Sequence, residues 1–293
     1  MGGHGMTLTV RANAKINLFL DVVGKRENGY HDIVSVMQAV SLCDTLTVSQ
    51  TSGKEIAFSG GGLPNDQTNL IVRAAHAYFA LRGKPFGVRV VLDKQIPMAA
   101  GLGGGSADAA ATLKALNALD GNRFTTEELA ALGARIGADV PFCVQGGTCL
   151  CQGIGERMTP LASGVHLALV VAIAGEGVST PAAFGLLDRR YQDYRGYASQ
   201  VTPAALIDAM QNGDVSATVS ALFNRFEEVI EPERPAVSNL KAMLTKQGAL
   251  GALMSGSGPA VFGIFADDNS AKRAAEQLKR MGVRAYDCHT VEN

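Results

Sequence analysis

Tryptophan is absent from the 293 residues, and charged residues are sparse at 18% against a usual share of about 25%. Lys plus Arg number 26 and Asp plus Glu 27, so the net charge is −1. That balance lacks the basic footprint of a nucleic-acid binder. No run of about 18 apolar residues is present, which excludes a membrane-spanning helix. The five cysteines (43, 143, 149, 151 and 288) contain no C-x-x-C pair. An odd, unpaired set argues against a disulfide framework and for a reduced, cytoplasmic chain with buried thiols. Cys149 and Cys151 would share one face of a strand, but no second half-site follows them, so a zinc site is not expected. None of the Gly-Lys pairs is followed by Ser or Thr (Arg26, Glu55 and Pro85 follow instead), which excludes a Walker A loop. The opening Met1-Gly2-Gly3-His4-Gly5 has no apolar stretch of the signal-peptide kind, and Met6 offers an alternative start.

Apolar residues make up 47% of the chain, enough for a sizeable core. At roughly 150 residues per domain the length suits two domains. Glycine is in excess, at 34 residues with no repeat, which points to many tight backbone approaches. Apolar and β-branched runs at 8–10, 16–23, 33–42 and 45–50 predict strands, with Asn28-Gly29 marking a turn. A helix is expected over 69–82, capped by Thr68 or Asn69 and ended by Gly83, then a strand over 87–94 and a helix from Ser106 to about 119. Thr125 and Glu128 fit a capping box, opening a helix that Gly137 ends. A strand is expected at 147–151, a buried strand at 167–174, helices at 203–211, 215–227 and 235–247, and a closing β-β-α-β over 249–254, 260–266, 270–281 and 284–291. The shift from strand-rich to helix-rich sequence puts a domain boundary near 160–166, giving domains 6–163 and 164–293. A ferredoxin-like element is expected in the second.

The segment Pro97-Met98-Ala99-Ala100-Gly101-Leu102-Gly103-Gly104-Gly105-Ser106-Ala107 lies between a predicted strand and a predicted helix. A helix start offers unpaired N–H groups and partial positive charge. Glycines let backbone close around phosphate oxygens. The loop therefore reads as a phosphate cradle. The dinucleotide fingerprint G-x-G-x-x-G is missed at its third glycine, where Ser106 stands. A glycine turn that merely packs helix against sheet is the competing reading.

This segment resembles the second motif of the GHMP kinases, the superfamily of galactokinase, homoserine kinase, mevalonate kinase and phosphomevalonate kinase. The triple glycine resembles the branch whose members phosphorylate the 2-hydroxyl of a cytidine-diphosphate-linked methylerythritol in isoprenoid precursor synthesis. Ala14-Lys15-Ile16-Asn17-Leu18-Phe19-Leu20 resembles that branch's first motif, Gly29-Tyr30-His31 its substrate-base segment, and Gly256-Ser257-Gly258-Pro259-Ala260-Val261-Phe262 the third superfamily motif. The matches fall in order from residue 14 to residue 262.

The resemblance implies a two-domain α+β fold, with an N-terminal domain of ribosomal protein S5 domain 2-like type and a C-terminal ferredoxin-like α/β sandwich. It implies ATP and Mg²⁺ as cofactors and a small-molecule partner, with neither nucleic acid nor membrane involved. Lys15 and Asn17 share one strand face. The resemblance places Lys15 where it stabilises charge developing on the transferred group and Asn17 at the substrate. Asp139 is implied as the base for the hydroxyl proton; an N-cap of the next turn is the other reading. Tyr30 is implied to stack on the cytosine ring, His31 to bond its edge, Phe184 to form a second wall and Thr180 to reach the ligand. Lys94 either touches a phosphate or is solvated, and Asn69 either borders the nucleotide base or caps its helix. Pro97 to Ala107 would hold the ATP phosphates. No metal ligand is placed, Ser106 being the only candidate. Alternatives are another GHMP small-molecule kinase, acting on mevalonate, homoserine or a sugar, and a non-enzymatic metabolite sensor.

Overall fold

A computed structural model describes residues 6–191, 194 and 202–292; the first five residues lie outside them. Packing divides the chain into two interleaved units. The first takes Met1–Ala14, Cys43–Met98 and Gly103–Gly146, and the second Lys15–Leu42, Ala99–Leu102 and Gly147–Asn293. The four strands expected near the start are two long ones, β1 (Thr7–Lys25) and β2 (His31–Thr51), each passing from one unit into the other. Asp44 disfavours a strand by propensity, yet β2 runs through it. Its carboxylate accepts the backbone N–H groups of Gln95 (2.6 Å) and Ile96 (2.8 Å), so the side chain is satisfied without a turn.

In the first unit β4 (Gly87–Asp93) lies between β3 (Ile56–Gly60), which is parallel to it, and the last part of β2, which is antiparallel. Val90 faces Phe58 on one side and Val48 on the other. Val88, Val90 and Leu92 are buried and alternate with exposed residues, as the period of two requires. The helices are α1 (Leu70–Arg82), α2 (Gly104–Leu119), α3 (Thr126–Gly133) and α4 (Val140–Gln145). Asn69 caps α1, and Gly83 ends it at φ 79°. Thr125 and Glu128 form both halves of the capping box. Helix α2 buries Ala107, Ala109, Ala110, Ala111 and Ala115. These small side chains let α1 and α2 pack closely.

Three expectations are corrected here. Helix α2 opens at Gly104, not Ser106, because Gly103 at φ 67° supplies the turn and Ala107 N–H already bonds the Gly103 carbonyl. Helix α3 ends at Gly133 rather than Gly137. Strand β3 and helix α4 were not expected: β3 ends in the glycine run 60–62, and α4 spans only six residues.

In the second unit β7 (Ala168–Ile173), β9 (Gly251–Met254), β10 (Ala260–Phe265) and β11 (Ala285–His289) form one antiparallel sheet in the order β11-β7-β10-β9. With helices between β7 and β9 and between β10 and β11, this is the ferredoxin-like order. All six residues of β7 and all six of β10 are buried, as expected for central strands. Helices α5 (Thr180–Arg190), α6 (Ala204–Gln211), α7 (Val215–Ser220), α8 (Glu227–Glu233) and α9 (Pro235–Lys246) precede β9, and α10 (Asp268–Arg280) precedes β11. Strands β5 (Thr148–Gly153) and β6 (Arg157–Leu161) form a hairpin on the first part of β2. None of the five cysteines is in a disulfide, and Cys149 and Cys151 are buried in β5. Burial pushes Cys149 up to about 11, so it stays protonated and inert.

The expected helix over 215–227 is broken by β8 (Phe223–Asn224), which pairs parallel with β1. Two interactions outweigh helical propensity there. Phe223 packs on Phe19 with ring centres 5.4 Å apart, and Asn224 Nδ2 donates to the carbonyls of Met254 (2.7 Å) and Gly256 (2.9 Å). Beside it, buried Arg225 is held by buried Asp21 at 2.8 and 3.3 Å and by Glu228 at 2.7 Å. Removing one partner of a buried pair leaves the other charge uncompensated. Asp21→Ala is expected to cost about 3 kcal/mol, measured by urea denaturation; a change within about 0.5 kcal/mol, as at an exposed site, would contradict this account of the pair.

Candidate functional site

The α2 start has the features of an anion cradle. Its N-cap is Gly103, no side chain caps it, and its first turn carries no acidic residue. Side chains cap α1, α3, α5, α7 and α10 (Asn69, Thr125, Ser179, Asp214 and Asp267), whereas α4, α6, α8 and α9 lack a side-chain cap as α2 does, and of these uncapped helices α2 is the one that opens from a left-handed glycine. The N–H groups of a helix's first turn have no intrahelical acceptor. Left uncapped, they suit phosphate oxygens. Gly105 and Met98 are exposed, Ser106 and Pro97 are half-buried, and Ala100, Leu102 and Ala107 anchor the loop in the interior.

Other predicted residues of the first unit gather at this helix start. A Cβ on Gly104 would lie 3.1 Å from Lys94 Nζ, one on Gly105 3.4 Å from Leu70, next to Asn69, and one on Gly137 3.7 Å from Ser106 Oγ. Gly137 leads into Asp139, which occupies the N-cap position of α4 without making a side-chain capping bond. The N-cap reading of Asp139 is thus right in position and wrong in chemistry. Asn69 does cap α1: its Oδ1 accepts from Ile71 N–H at 2.9 Å, and its Nδ2 donates to the Pro64 carbonyl.

Lys94 is not the solvated lysine that one reading allowed. Its ammonium bonds Asp44 at 2.5 Å and Asp108 at 2.8 Å, and both carboxylates are buried. Burial pushes the Asp108 carboxyl up to about 7; Lys94 opposes that rise and Asp44 adds to it. Asp44 and Asp108 were not singled out in the sequence. Asp108 follows the motif directly, and its position inside an alanine-rich helix interior was the signal available.

The second unit brings parts of three motifs together. Gly101 sits at φ 78°, and a Cβ there would lie 2.3 Å from the Ser255 carbonyl oxygen, so only glycine allows this approach. Gly256, at φ 59°, faces Gly101 O, Lys15 Nζ and Asn17 Oδ1, at 3.3, 3.5 and 3.6 Å from its would-be Cβ. The Ala100 carbonyl accepts from Ala260 N–H, and Lys15 N–H donates to the Leu102 carbonyl. Ala99, also at positive φ (52°), turns the chain into this approach. Lys15 is buried and donates to Asn17 Oδ1 at 2.7 Å. Asn17 Nδ2 donates to Ser35 Oγ, which donates to the Phe19 carbonyl. This chain fixes which end of the Asn17 amide faces the lysine. Thr180 Oγ1 lies 3.2 Å from Ser257 Oγ, so it too meets the third motif.

The aromatic residues form a second cluster in the same unit. A tight turn closed by Arg26 N–H to the Tyr30 carbonyl, with Gly29 at φ 85°, leaves Tyr30 60% exposed. His31 begins β2 and is stacked face to face on Phe184, with ring centres 4.4 Å apart and planes 11° apart. Its Nε2 bonds Asp188 Oδ1 at 2.7 Å. Lys25 Nζ donates to Asp188 Oδ2 (2.7 Å) and the Tyr194 hydroxyl to Oδ1 (2.8 Å). Burial would raise the Asp188 carboxyl, but these hydrogen bonds outweigh it and hold it at about 2. Asp188 was missed in the sequence; it stands four residues after Phe184 on α5, hence on the same helix face.

Among the described residues, Lys94 is the one cation bonded to both buried acids, so its loss should unfold more than a ligand site. Lys94→Met is expected to cost about 3–5 kcal/mol by urea denaturation, partly recovered by adding Asp108→Asn; an effect confined to nucleotide affinity, with unchanged stability, would contradict this.

Comparison with known proteins shows the family. Residues 69–147 match the GHMP kinases N terminal domain, and residues 206–284 the GHMP kinases C terminal region. The chain is 43% identical over 283 residues to 4-diphosphocytidyl-2-C-methyl-D-erythritol kinase of Exiguobacterium sibiricum, covering 96% of this chain and 97% of that one. It is 42% identical to the protein of the same name from Gloeobacter violaceus, over 97% of this chain and 94% of that one. Among solved structures, a 4-(cytidine 5'-diphospho)-2C-methyl-D-erythritol kinase superposes with a TM-score of 0.83 at 35% identity, covering 98% of this chain and 100% of that one. A homoserine kinase of Cytophaga hutchinsonii, at TM-score 0.74 and 20% identity over 100% of this chain and 97% of that one, shares the fold. The chain therefore belongs to the GHMP kinases.

Proposed function

We propose that the chain transfers the γ-phosphoryl group of ATP to the 2-hydroxyl of 4-diphosphocytidyl-2-C-methyl-D-erythritol, giving the 2-phosphate and ADP. The observation that carries the substrate reading is the stacked pair of His31 and Phe184, with exposed Tyr30 next to His31 in the chain. A mevalonate, homoserine or simple sugar kinase has no flat base for such rings to meet. The near full-length likeness to kinases of that name supports it. The domain division at 163/164 belongs to this reading, with one family match on each side of it. So does a cytoplasmic location, which five cysteines outside any disulfide support.

Each residue has a role set by its surroundings. The uncapped N–H groups at Gly104, Gly105 and Ser106 bind the phosphates, and Lys94 and Asn69 border the nucleotide from the elements beside them. Lys15, oriented by Asn17, offsets negative charge as it grows on the transferred oxygens. Asp139 takes the hydroxyl proton as the oxygen attacks phosphorus in line, the bond to the β-phosphate oxygen breaks, and the proton passes on to solvent. Thr180 and Asn17 contact the acceptor, and Tyr30 stacks on its base.

Among the described residues no group of three His, Cys, Asp or Glu side chains could hold a metal ion. The donor set therefore fits Mg²⁺ carried on the triphosphate, since this ion keeps phosphate and water ligands. Ser106 Oγ, half-buried in the first turn of α2, is the side chain that would help hold such an ion, which would supply charge neutralisation for the phosphates.

A phosphate-transfer assay with the cytidyl substrate and with the bare methylerythritol, mevalonate and homoserine tests the reading; turnover of a bare alcohol in preference to the cytidyl compound would overturn it. Asp139→Ala is expected to lower kcat by about a hundredfold or more while calorimetric ATP affinity stays near wild type; normal turnover would remove Asp139 from the base role. Tyr30→Ala is expected to raise KM more than it lowers kcat, because stacking stabilises bound substrate and transition state alike. A loss in kcat alone would count against stacking.

A further inference from the structure

We propose that Asp188 sets the tautomer of His31 and thereby makes the base site select an amino-bearing pyrimidine over an oxo-bearing one. The inference rests on the proposed cytidine-linked substrate and deepens it.

Asp188 collects three donors at one carboxylate: Lys25 Nζ on Oδ2, and His31 Nε2 and the Tyr194 hydroxyl on Oδ1. An ionised carboxylate only accepts. The His31–Asp188 bond of 2.7 Å therefore requires the ring proton to sit on Nε2. In the neutral ring the other nitrogen, Nδ1, is then a lone-pair acceptor. Phe184 fixes the ring plane by stacking on it, and Tyr194 meets the ring edge-on with centres 5.7 Å apart. His31 is a buried residue, yet Nδ1 makes no hydrogen bond among the described residues and is not one of the fully enclosed unpartnered atoms, so it keeps a narrow opening to the surface. The ring thus presents one acceptor of fixed position, and exposed Tyr30 is its neighbour in sequence.

Cytosine and uracil differ at the base edge, where cytosine carries an amino donor and uracil a carbonyl acceptor. An acceptor at Nδ1 pairs with the amino group and faces the carbonyl lone pair to lone pair. A site built to hydrogen-bond one group rejects the analogue lacking it strongly, because its own polar atom is left unpaired. Asp188 touches no substrate in this scheme; it is a positioning residue acting through His31. In Asp188→Asn the side-chain amide can turn either its oxygen or its NH₂ toward Nε2, so both tautomers become available.

The experiment compares kcat/KM for the cytidine-diphosphate substrate and its uridine-diphosphate analogue in wild type, Asp188→Asn and Asp188→Glu. Long-range ¹⁵N–¹H spectra of histidine-labelled wild type accompany it, with the His31 signal assigned from His31→Gln. Wild type is expected to prefer the cytidine compound by about a hundredfold or more. Asp188→Asn should lose about tenfold of that preference and Asp188→Glu retain most of it. The spectrum should show a protonated Nε2 and a pyridine-like Nδ1 at His31. An unchanged preference in Asp188→Asn, or a wild-type His31 protonated at Nδ1, overturns the inference. Should Asp188→Asn fail to fold, the wild-type spectrum and preference decide. Absence of turnover on the cytidine compound by wild type instead overturns the proposed substrate, while the spectrum still reports the tautomer.

Discussion

The structure depends on one close backbone approach, that of the Gly101 peptide to the Ser255 carbonyl. A Cβ at residue 101 would sit 2.3 Å from that oxygen, well inside any contact a side chain tolerates. The approach ties the front of the glycine loop to the third motif. The Ala100 and Leu102 carbonyls add bonds to Ala260 and Lys15. Three residues on, the same loop opens α2 with no side-chain cap. One short segment thus serves two constraints. Its first half is fixed by packing against distant sequence, and its second half starts a helix that no side chain caps.

Charge is handled differently in the two units. In the first, Lys94 sits between two buried acids, so a lysine beside the helix start is held in place by carboxylates rather than by solvent. In the second, Lys15 donates to the Asn17 amide oxygen, and Ser35 holds the other end of that amide. In the aromatic cluster the acid is Asp188, which bonds Nε2 of His31 and also collects the Lys25 ammonium and the Tyr194 hydroxyl.

Much of this was legible in the chain, and the failures have physical causes. Asn69, Gly83, Thr125 and Glu128 announce helix ends because capping is a local interaction of side chain with nearby backbone. The alternation of Val88, Val90 and Leu92 announces a half-buried strand. The break of helix 215–227 at β8 was not legible, because it depends on Phe19 and on the carbonyls of residues 254 and 256, remote in sequence. The ion triad was hidden for the same reason, since Asp44 lies 50 residues before Lys94. Of the candidate site, the motif residues were singled out from the sequence and their hydrogen-bond partners were not. Lys15, His31 and Phe184 stand in short recognisable segments, whereas Ser35, Asp108 and Asp188 are single polar residues whose partners only folding reveals.

The most direct measurement is a crystal structure with a non-hydrolysable ATP analogue and Mg²⁺. The account predicts phosphate oxygens within hydrogen-bond distance of the backbone N–H groups at residues 104–106, with φ at Gly101 unchanged from 78°. Phosphates seated elsewhere, with those N–H groups bonded to water or to a side chain, would contradict it.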